Sequence, residues 1–184
     1  MKKSISLLLV IVFLGAVISF LFVDKKHYKI IELDYTSVDM SSYKEMNSVD
    51  HRFMRISPKE LLRVIEEGES AVFYLGYASC PNCQEAVKLI DKAAEESDIF
   101  VYYINAYDAQ YPLSDYLEQV EEKLAPILPV RSGKKSIQVP LVFAVKEGVI
   151  SENYCGLIKS YDGSEKADQA MIKIYKNIMK DFEE

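Results

Sequence analysis

The sequence predicts an α/β domain, a mixed central sheet flanked by helices, preceded by an N-terminal transmembrane helix. Three observations predict it. A charge-free run of 20 residues, Ser4 to Val23, lies near the start of the chain. Downstream, apolar runs of strand length alternate with stretches whose apolar residues recur at helical spacing. Two cysteines, Cys80 and Cys83, stand where one buried run hands over to a helix.

The N-terminal run comes first. As a helix, 20 residues span about 30 Å, the thickness of a bilayer's hydrocarbon core. Lys2 and Lys3 precede the run, and Asp24, Lys25 and Lys26 follow it. The basic bias favours a cytoplasmic N-terminus and places the body of the chain outside. A cleaved signal peptide is the rival reading, with Val17-Ile18-Ser19 as the site, but apolar residues continue past it to Val23. No cysteine lies near the run, which excludes lipoprotein processing. Residues 1–26 are therefore expected to be a signal anchor, with residues 4–23 in the membrane of a single-pass protein.

Residues 27–51 read as a linker holding one extra strand, Tyr28 to Leu33. Phe53 to Ile56 reads as a short strand. Ser57-Pro58-Lys59-Glu60 predicts a helix start, with Ser57 as N-cap, Pro58 at the first helical position and Glu60 closing a capping box. Leu61, Leu62, Val64 and Ile65 give that helix its apolar face, and Gly68 stops it. Ala71 to Gly76 and Ile99 to Asn105 are short apolar runs, as buried strands require. Between them Ala86, Val87, Ile90 and Ala94 mark a helix. Leu113, Tyr116, Leu117, Val120 and Leu124 mark another, ending near Pro126. Residues 126–138 read as a solvated loop carrying Arg131, Lys134 and Lys135. Leu141 to Val145 and Val149 to Tyr154 form a hairpin about Glu147-Gly148. Met171 to Phe182 keep helical spacing to the C-terminus. Residues 52–184 thus form one domain.

Bulk composition excludes several classes. Apolar residues make up 49% and charged residues 27%, an ordinary globular balance. The net charge is −6, and beyond the N-terminal run the body is more acidic still. No nucleic-acid partner is expected, because phosphate binding needs clustered Lys and Arg. Three cysteines are too few for a disulfide-stapled scaffold, and the odd count leaves one unpaired.

The chemistry centres on Cys80-Pro81-Asn82-Cys83. Cys80 falls at the cap of the following helix, with Pro81 in its first turn. Unpaired backbone N–H groups and the helix dipole favour negative charge there, and the thiolate is the attacking species in disulfide exchange. Cys80 is expected to be an exposed nucleophile, and Cys83, one turn on, the shielded resolving thiol. Half of a zinc site is an alternative, but a full site needs two more ligands. Cys155, His27 and His51 supply no matching pair, so no metal and no cofactor are expected. A purely structural disulfide would close too small a loop to stabilise much. Cys155, ahead of Gly156, reads as a buried free thiol.

Phe73 to Cys83, followed about 57 residues later by Val139-Pro140-Leu141-Val142-Phe143 and by Glu147-Gly148, resembles the thioredoxin superfamily. The resemblance covers residues 52–183 and implies a thioredoxin-like fold with a redox-active Cys80–Cys83 disulfide. It implies that Pro140 is a cis-proline facing the cysteine pair, and that the backbone at Val139 pairs with an extended substrate segment. More narrowly, Ile56 to Leu61 and Ser79-Cys80-Pro81 resemble small thioredoxin-like proteins of Gram-positive bacteria described as bacteriocin transport accessory proteins. The pattern also departs from thioredoxin. Tyr74 stands where thioredoxin has a buried acid, Tyr103 lies near the position of its facing lysine, and Ser79 replaces the aromatic before the first cysteine. Tyrosine is a poor general base at neutral pH.

The expected function is that of an extracytoplasmic, membrane-anchored thiol–disulfide oxidoreductase, a reductase or isomerase ahead of an oxidase. Only about 35 residues separate Asn105 from Pro140, too few for the helical insertion usual in thioredoxin-fold oxidases. Its partners would be exported proteins bearing thiols or disulfides, and a separate redox partner. The alternative is a non-enzymatic accessory factor of protein or bacteriocin export that reuses the fold.

Overall fold

Six strands form the central sheet of the computed structural model, which describes residues 27–31, 36–46 and 49–183. In chain order the strands are β1 (Tyr28–Lys29), β2 (Thr36–Ser37), β3 (Phe53–Arg55), β4 (Ala71–Gly76), β5 (Val101–Asn105), β6 (Val130–Arg131), β7 (Lys134–Lys135), β8 (Leu141–Lys146), β9 (Val149–Cys155) and β10 (Phe182–Glu183). The helices are α1 (Pro58–Glu66), α2 (Pro81–Ser97), α3 (Leu117–Leu124) and α4 (Glu165–Met179), with a 3-10 turn over Leu113–Tyr116 running into α3. The central sheet has the order β2-β3-β5-β4-β8-β9. β3 and β4 run parallel to β5, whereas β8 is antiparallel to both β4 and β9. This is a thioredoxin-like α/β architecture with a mixed sheet.

The central strands are buried because both faces are covered. Every residue of β4, and all but the last of β8, is buried. Successive side chains on a strand point to opposite faces, so a wholly buried strand has packing on each side. On one face Phe73 stacks on Phe143 at 5.2 Å and meets Tyr102 at 6.0 Å. On the other, Tyr74 stacks on Tyr103 at 5.3 Å. Helices α2 and α4 pack against each other, and α1 packs against α3.

Local signals set the element ends. Ser57 Oγ accepts the Glu60 N–H at 3.1 Å, so the cap forms as expected, but Glu60 turns to Arg63 at 2.9 Å instead of closing the box. The β8–β9 hairpin turns at Glu147 and Gly148, both at positive φ. A Cβ at Gly148 would fall 2.5 Å from the Ile65 carbonyl oxygen, so glycine is needed for close approach as well as for the turn.

Four expectations are corrected. The linker reading of residues 27–51 understates their order: β2 extends the sheet beside β3, and Met40 and Tyr43 are buried. Among the described residues 28–31 of the expected strand Tyr28 to Leu33, only Tyr28–Lys29 forms a strand, and it pairs with β10 at the C-terminal end. The helix expected to reach Phe182 stops at Met179, because Phe182 pairs with Tyr28. The loop 126–138 contains a ribbon, β6–β7, that turns at Ser132-Gly133 with both residues at positive φ. The expected transmembrane run 4–23 lies outside the described residues. Among the described residues no helix is long and apolar enough to cross a membrane.

Candidate functional site

Strand β4 delivers the chain to the site. After Gly76 it turns through Tyr77-Ala78-Ser79, with the Cys80 N–H bonded to the Tyr77 carbonyl at 3.2 Å. Helix α2 begins at Pro81, whose fixed φ suits the first helical position. Cys80 is its N-cap in extended conformation, and its sulfur accepts the Cys83 N–H at 3.3 Å. The first cysteine thus takes the place of the usual Ser or Asp cap, with its sulfur at the positive end of a 17-residue helix. Pro81 and Asn82 are exposed.

Cys80 is less exposed than the sequence implies, at 7%, because its sulfur turns inward to cap the helix. Cys83 is fully buried. The thiols of Cys80, Cys83 and Cys155 are all free. Burial and a hydrogen bond to Cys80 push the Cys83 thiol up to about 12, against the opposing pull of the Tyr77 backbone and the Tyr74 hydroxyl. Cys83 is therefore a protonated thiol at neutral pH.

The second wall of the site is the start of β8. The Val139–Pro140 peptide bond is cis, as the resemblance implied. Leu141 pairs with Leu75 in the β4–β8 register, which sets Pro140 beside Gly76 and the turn leading to Cys80. Pro140 is buried and Val139 half-buried. The Pro140 carbonyl accepts the Gly156 N–H at 2.7 Å. Cys155 is half-buried, its sulfur 3.5 Å from the Gln138 carbonyl, and burial raises its pKa. Arg131, Lys134 and Lys135 are exposed on the β6–β7 ribbon, with Lys135 Nζ donating to the Ala125 carbonyl at 2.7 Å.

Beneath the cysteines lies a cluster of three tyrosines. The β4–β5 register aligns Tyr74 with Tyr103, the two positions where the sequence departs from thioredoxin. The third, Tyr43, comes from the segment read as linker. Its hydroxyl lies 2.9 Å from that of Tyr103 and 3.5 Å from that of Tyr74. Burial raises all three phenols, Tyr43 to about 12 and Tyr74 and Tyr103 well above the ordinary phenol value. Nothing in the sequence marked Tyr43, which lies 37 residues before Cys80 in a polar stretch without periodicity. Gly76 makes room for the cluster: a Cβ there would fall 2.2 Å from the Tyr74 hydroxyl oxygen.

A cavity of about 300 Å³ opens beside the cluster, lined by Asp39, Tyr43, Arg55, Tyr103 and Asp108 among others. Arg55 grips Asp108 through Nε at 2.8 Å and Nη2 at 2.6 Å. Among the described residues no three His, Cys, Asp or Glu side chains are grouped to hold a metal ion.

No protein-family model matches the chain, and no curated protein matches its sequence. Solved structures similar to it include oxidised thioredoxin O2 from Arabidopsis thaliana, at 18% identity over 68% of this chain and 96% of that one, with a TM-score of 0.43. Thioredoxin from Trypanosoma brucei brucei aligns at 12% identity over 74% and 98%, with a TM-score of 0.45. Oxidised thioredoxin from Plasmodium falciparum aligns at 14% over 66% and 96%, with a TM-score of 0.40. The strand order of the central sheet and the helix-capping position of Cys80 carry the thioredoxin-like architecture of this chain independently of these distant likenesses.

Proposed function

We propose that the chain is a thiol–disulfide oxidoreductase that works through Cys80 and Cys83, tethered by residues 4–23 to the outer face of a cell membrane. The capping geometry carries the reading: the Cys83 N–H donates to Cys80 Sγ at 3.3 Å, at the N-terminus of α2. A sulfur in that position gains from negative charge, since the N–H groups and the helix dipole both stabilise it.

The reaction then runs in two displacements. The Cys80 thiolate attacks one sulfur of a substrate disulfide, that bond breaks, and the second substrate sulfur leaves as a thiolate. Cys83 attacks Cys80 Sγ in the mixed disulfide. The Cys80–substrate bond breaks, the substrate departs fully reduced, and Cys80–Cys83 forms as the protein is oxidised by two electrons. Val139, beside Pro140, offers backbone groups to an extended substrate segment next to Cys80. The substrates are exported proteins with thiols or disulfides, and a separate redox partner restores the dithiol.

Reduction or isomerisation is favoured over oxidation. Between Asn105 and Pro140 the chain forms only the short 3-10 turn, α3 and the β6–β7 ribbon. The test uses the full chain in mild detergent. Insulin disulfides should be reduced by the wild type and not by Cys80→Ser. Activity that survives in the variant overturns the assignment, and a reduction potential near roughly −120 mV would reverse the direction of electron flow.

A further inference from the structure

Charge is unevenly distributed along the segment that forms the second wall of the site. The chain carries 28 acidic residues, yet none lies between Glu122 and Glu147. That stretch holds Val139 and Pro140, and its charged side chains are Lys123, Arg131, Lys134, Lys135 and Lys146. Two of these have acidic partners: Lys123 pairs with Glu66 at 3.4 Å and Lys146 with Glu152 at 3.0 Å. The others are gathered on the β6–β7 ribbon.

The ribbon is held in place from several sides. Its two-residue turn has Ser132 at φ 51° and Gly133 at φ 79°, a backbone that matches the twist of a tight hairpin. The Ser136 N–H donates to the Pro129 carbonyl at 3.4 Å, and Glu121 of α3 accepts the Ile137 N–H at 3.1 Å. Val130 pairs with Lys135, and Arg131 with Lys134. Successive residues of a strand point to opposite faces, so Arg131 and Lys134 share one face of the ribbon and Val130 and Lys135 the other. Lys135 reaches the Ala125 carbonyl just after α3 at 2.7 Å, which turns its face toward that helix. Arg131 and Lys134 stand on the outer face. Both are exposed, and neither side chain has an ion pair or hydrogen bond among the described residues.

Like charges directly opposite each other weaken a two-stranded ladder. Here they face each other on strands of two residues each, in a chain of net charge −6. An anionic group seated between the guanidinium and the ammonium removes that repulsion, and the planar fork of arginine suits a carboxylate.

The position of the pair selects the anion. Residues 136–139 run half-exposed from the ribbon into Pro140. Lys134 lies five residues before Val139, so the chain between them spans at most about 18 Å. A substrate segment extended along Val139 therefore brings its flanking side chains within reach of the outer face. This continuity with the substrate-pairing backbone favours a peptide carboxylate over a lipid headgroup.

We infer that Arg131 and Lys134 form a clamp for acidic side chains of the substrate, selecting disulfides with Asp or Glu about four to six residues from the half-cystine. The inference rests on the exchange reaction proposed above and adds its substrate class.

The test uses the pre-reduced full chain in mild detergent and two self-quenched fluorescent peptide disulfides. The peptides are identical except for Glu or Lys at those flanking positions, on both sides of the cysteine. The acidic body of the chain by itself attracts the Lys peptide, so a Glu preference requires a local cationic site. The wild type should release the Glu peptide at least about tenfold faster than the Lys peptide at low ionic strength, and the gap should narrow at about 0.5 M salt. Arg131→Glu with Lys134→Glu should invert the preference, which an unfolded variant cannot do. Lys59→Glu with Lys173→Glu makes the same change of charge at exposed positions on α1 and α4 and should keep the preference for Glu. Equal rates or a Lys preference in the wild type, or an inversion in the Lys59 and Lys173 variant, would overturn the clamp and leave the exchange reaction standing. Absence of a Glu preference, with Lys134 shielded from amine acetylation only in phosphatidylglycerol vesicles, would assign the ribbon to the lipid surface and overturn the clamp. No release from either peptide, or undiminished release by Cys80→Ser, overturns the exchange reaction and the clamp with it.

Discussion

Each cysteine owes its role to one placement. Cys80 caps a helix, and Cys83, one turn on, is sealed beneath it. Its raised pKa has a consequence for stability. The folded value, about 12, lies above the unfolded one of about 8.5. The buried neutral thiol therefore favours folding at all pH values below about 8.5, and that contribution is lost as pH rises toward the folded value. Iodoacetamide applied to the folded chain at pH 8 should accordingly modify Cys80 and spare Cys83, read by peptide mass spectrometry. Equal modification of both would contradict the burial argument. Gly76 makes a second prediction at this scale. Gly76→Ala would force a methyl group into the Tyr74 ring and should cost about 1–3 kcal/mol in urea unfolding; an unchanged midpoint would contradict it. The sequence exposed Tyr74 and Tyr103 as departures from thioredoxin because each falls at a known position in a strand. Tyr43 was invisible: its partners are 31 and 60 residues away, and no local pattern announces such contacts.

The elements whose ends are locally encoded were legible. Ser57 with Pro58, Cys80 with Pro81, and Glu147 with Gly148 each carry their own start or turn signal. Those made by tertiary pairing were not. Two-residue strands such as β1, β2 and β10 have no period to read, and β2 exists because β3 offers it an edge. The β3 edge also sets the loop after β5, where Arg55 holds Asp108. Burial works against that carboxylate, but the Arg55 guanidinium and the N–H groups of Gln110 and Tyr111 bring it below the usual range. A depressed pKa contributes stability above the unfolded value near 4 and loses it as pH falls through the folded one. Asp108→Asn should therefore cost about 1–3 kcal/mol at pH 7, with the gap narrowing below about pH 4 as the wild-type carboxyl protonates. Denaturation series at pH 7 and pH 3 check this, and an equal loss at both would contradict it.

For the whole molecule, alternation of strand and helix was enough to predict the mixed sheet, and the cis-proline placed opposite Gly76 agrees with the family resemblance. Long-range closure was not predictable: β1 against β10 brings the start of the described chain to its C-terminal end. Export has its own check. A cysteine introduced at the exposed Lys159 position of the chain lacking its native cysteines should be labelled by a membrane-impermeant maleimide in intact cells. Labelling only after lysis would place the domain in the cytoplasm.

The exchange reaction at Cys80 and Cys83 is the centre of the account, and the Cys83→Ser variant tests it most directly. Treated with a disulfide-bonded peptide and analysed by mass spectrometry, the variant should accumulate one mixed disulfide, at Cys80. The wild type should instead pass to an internal Cys80–Cys83 disulfide and release the reduced peptide. A variant that forms no adduct, or forms it at Cys155, would contradict the account.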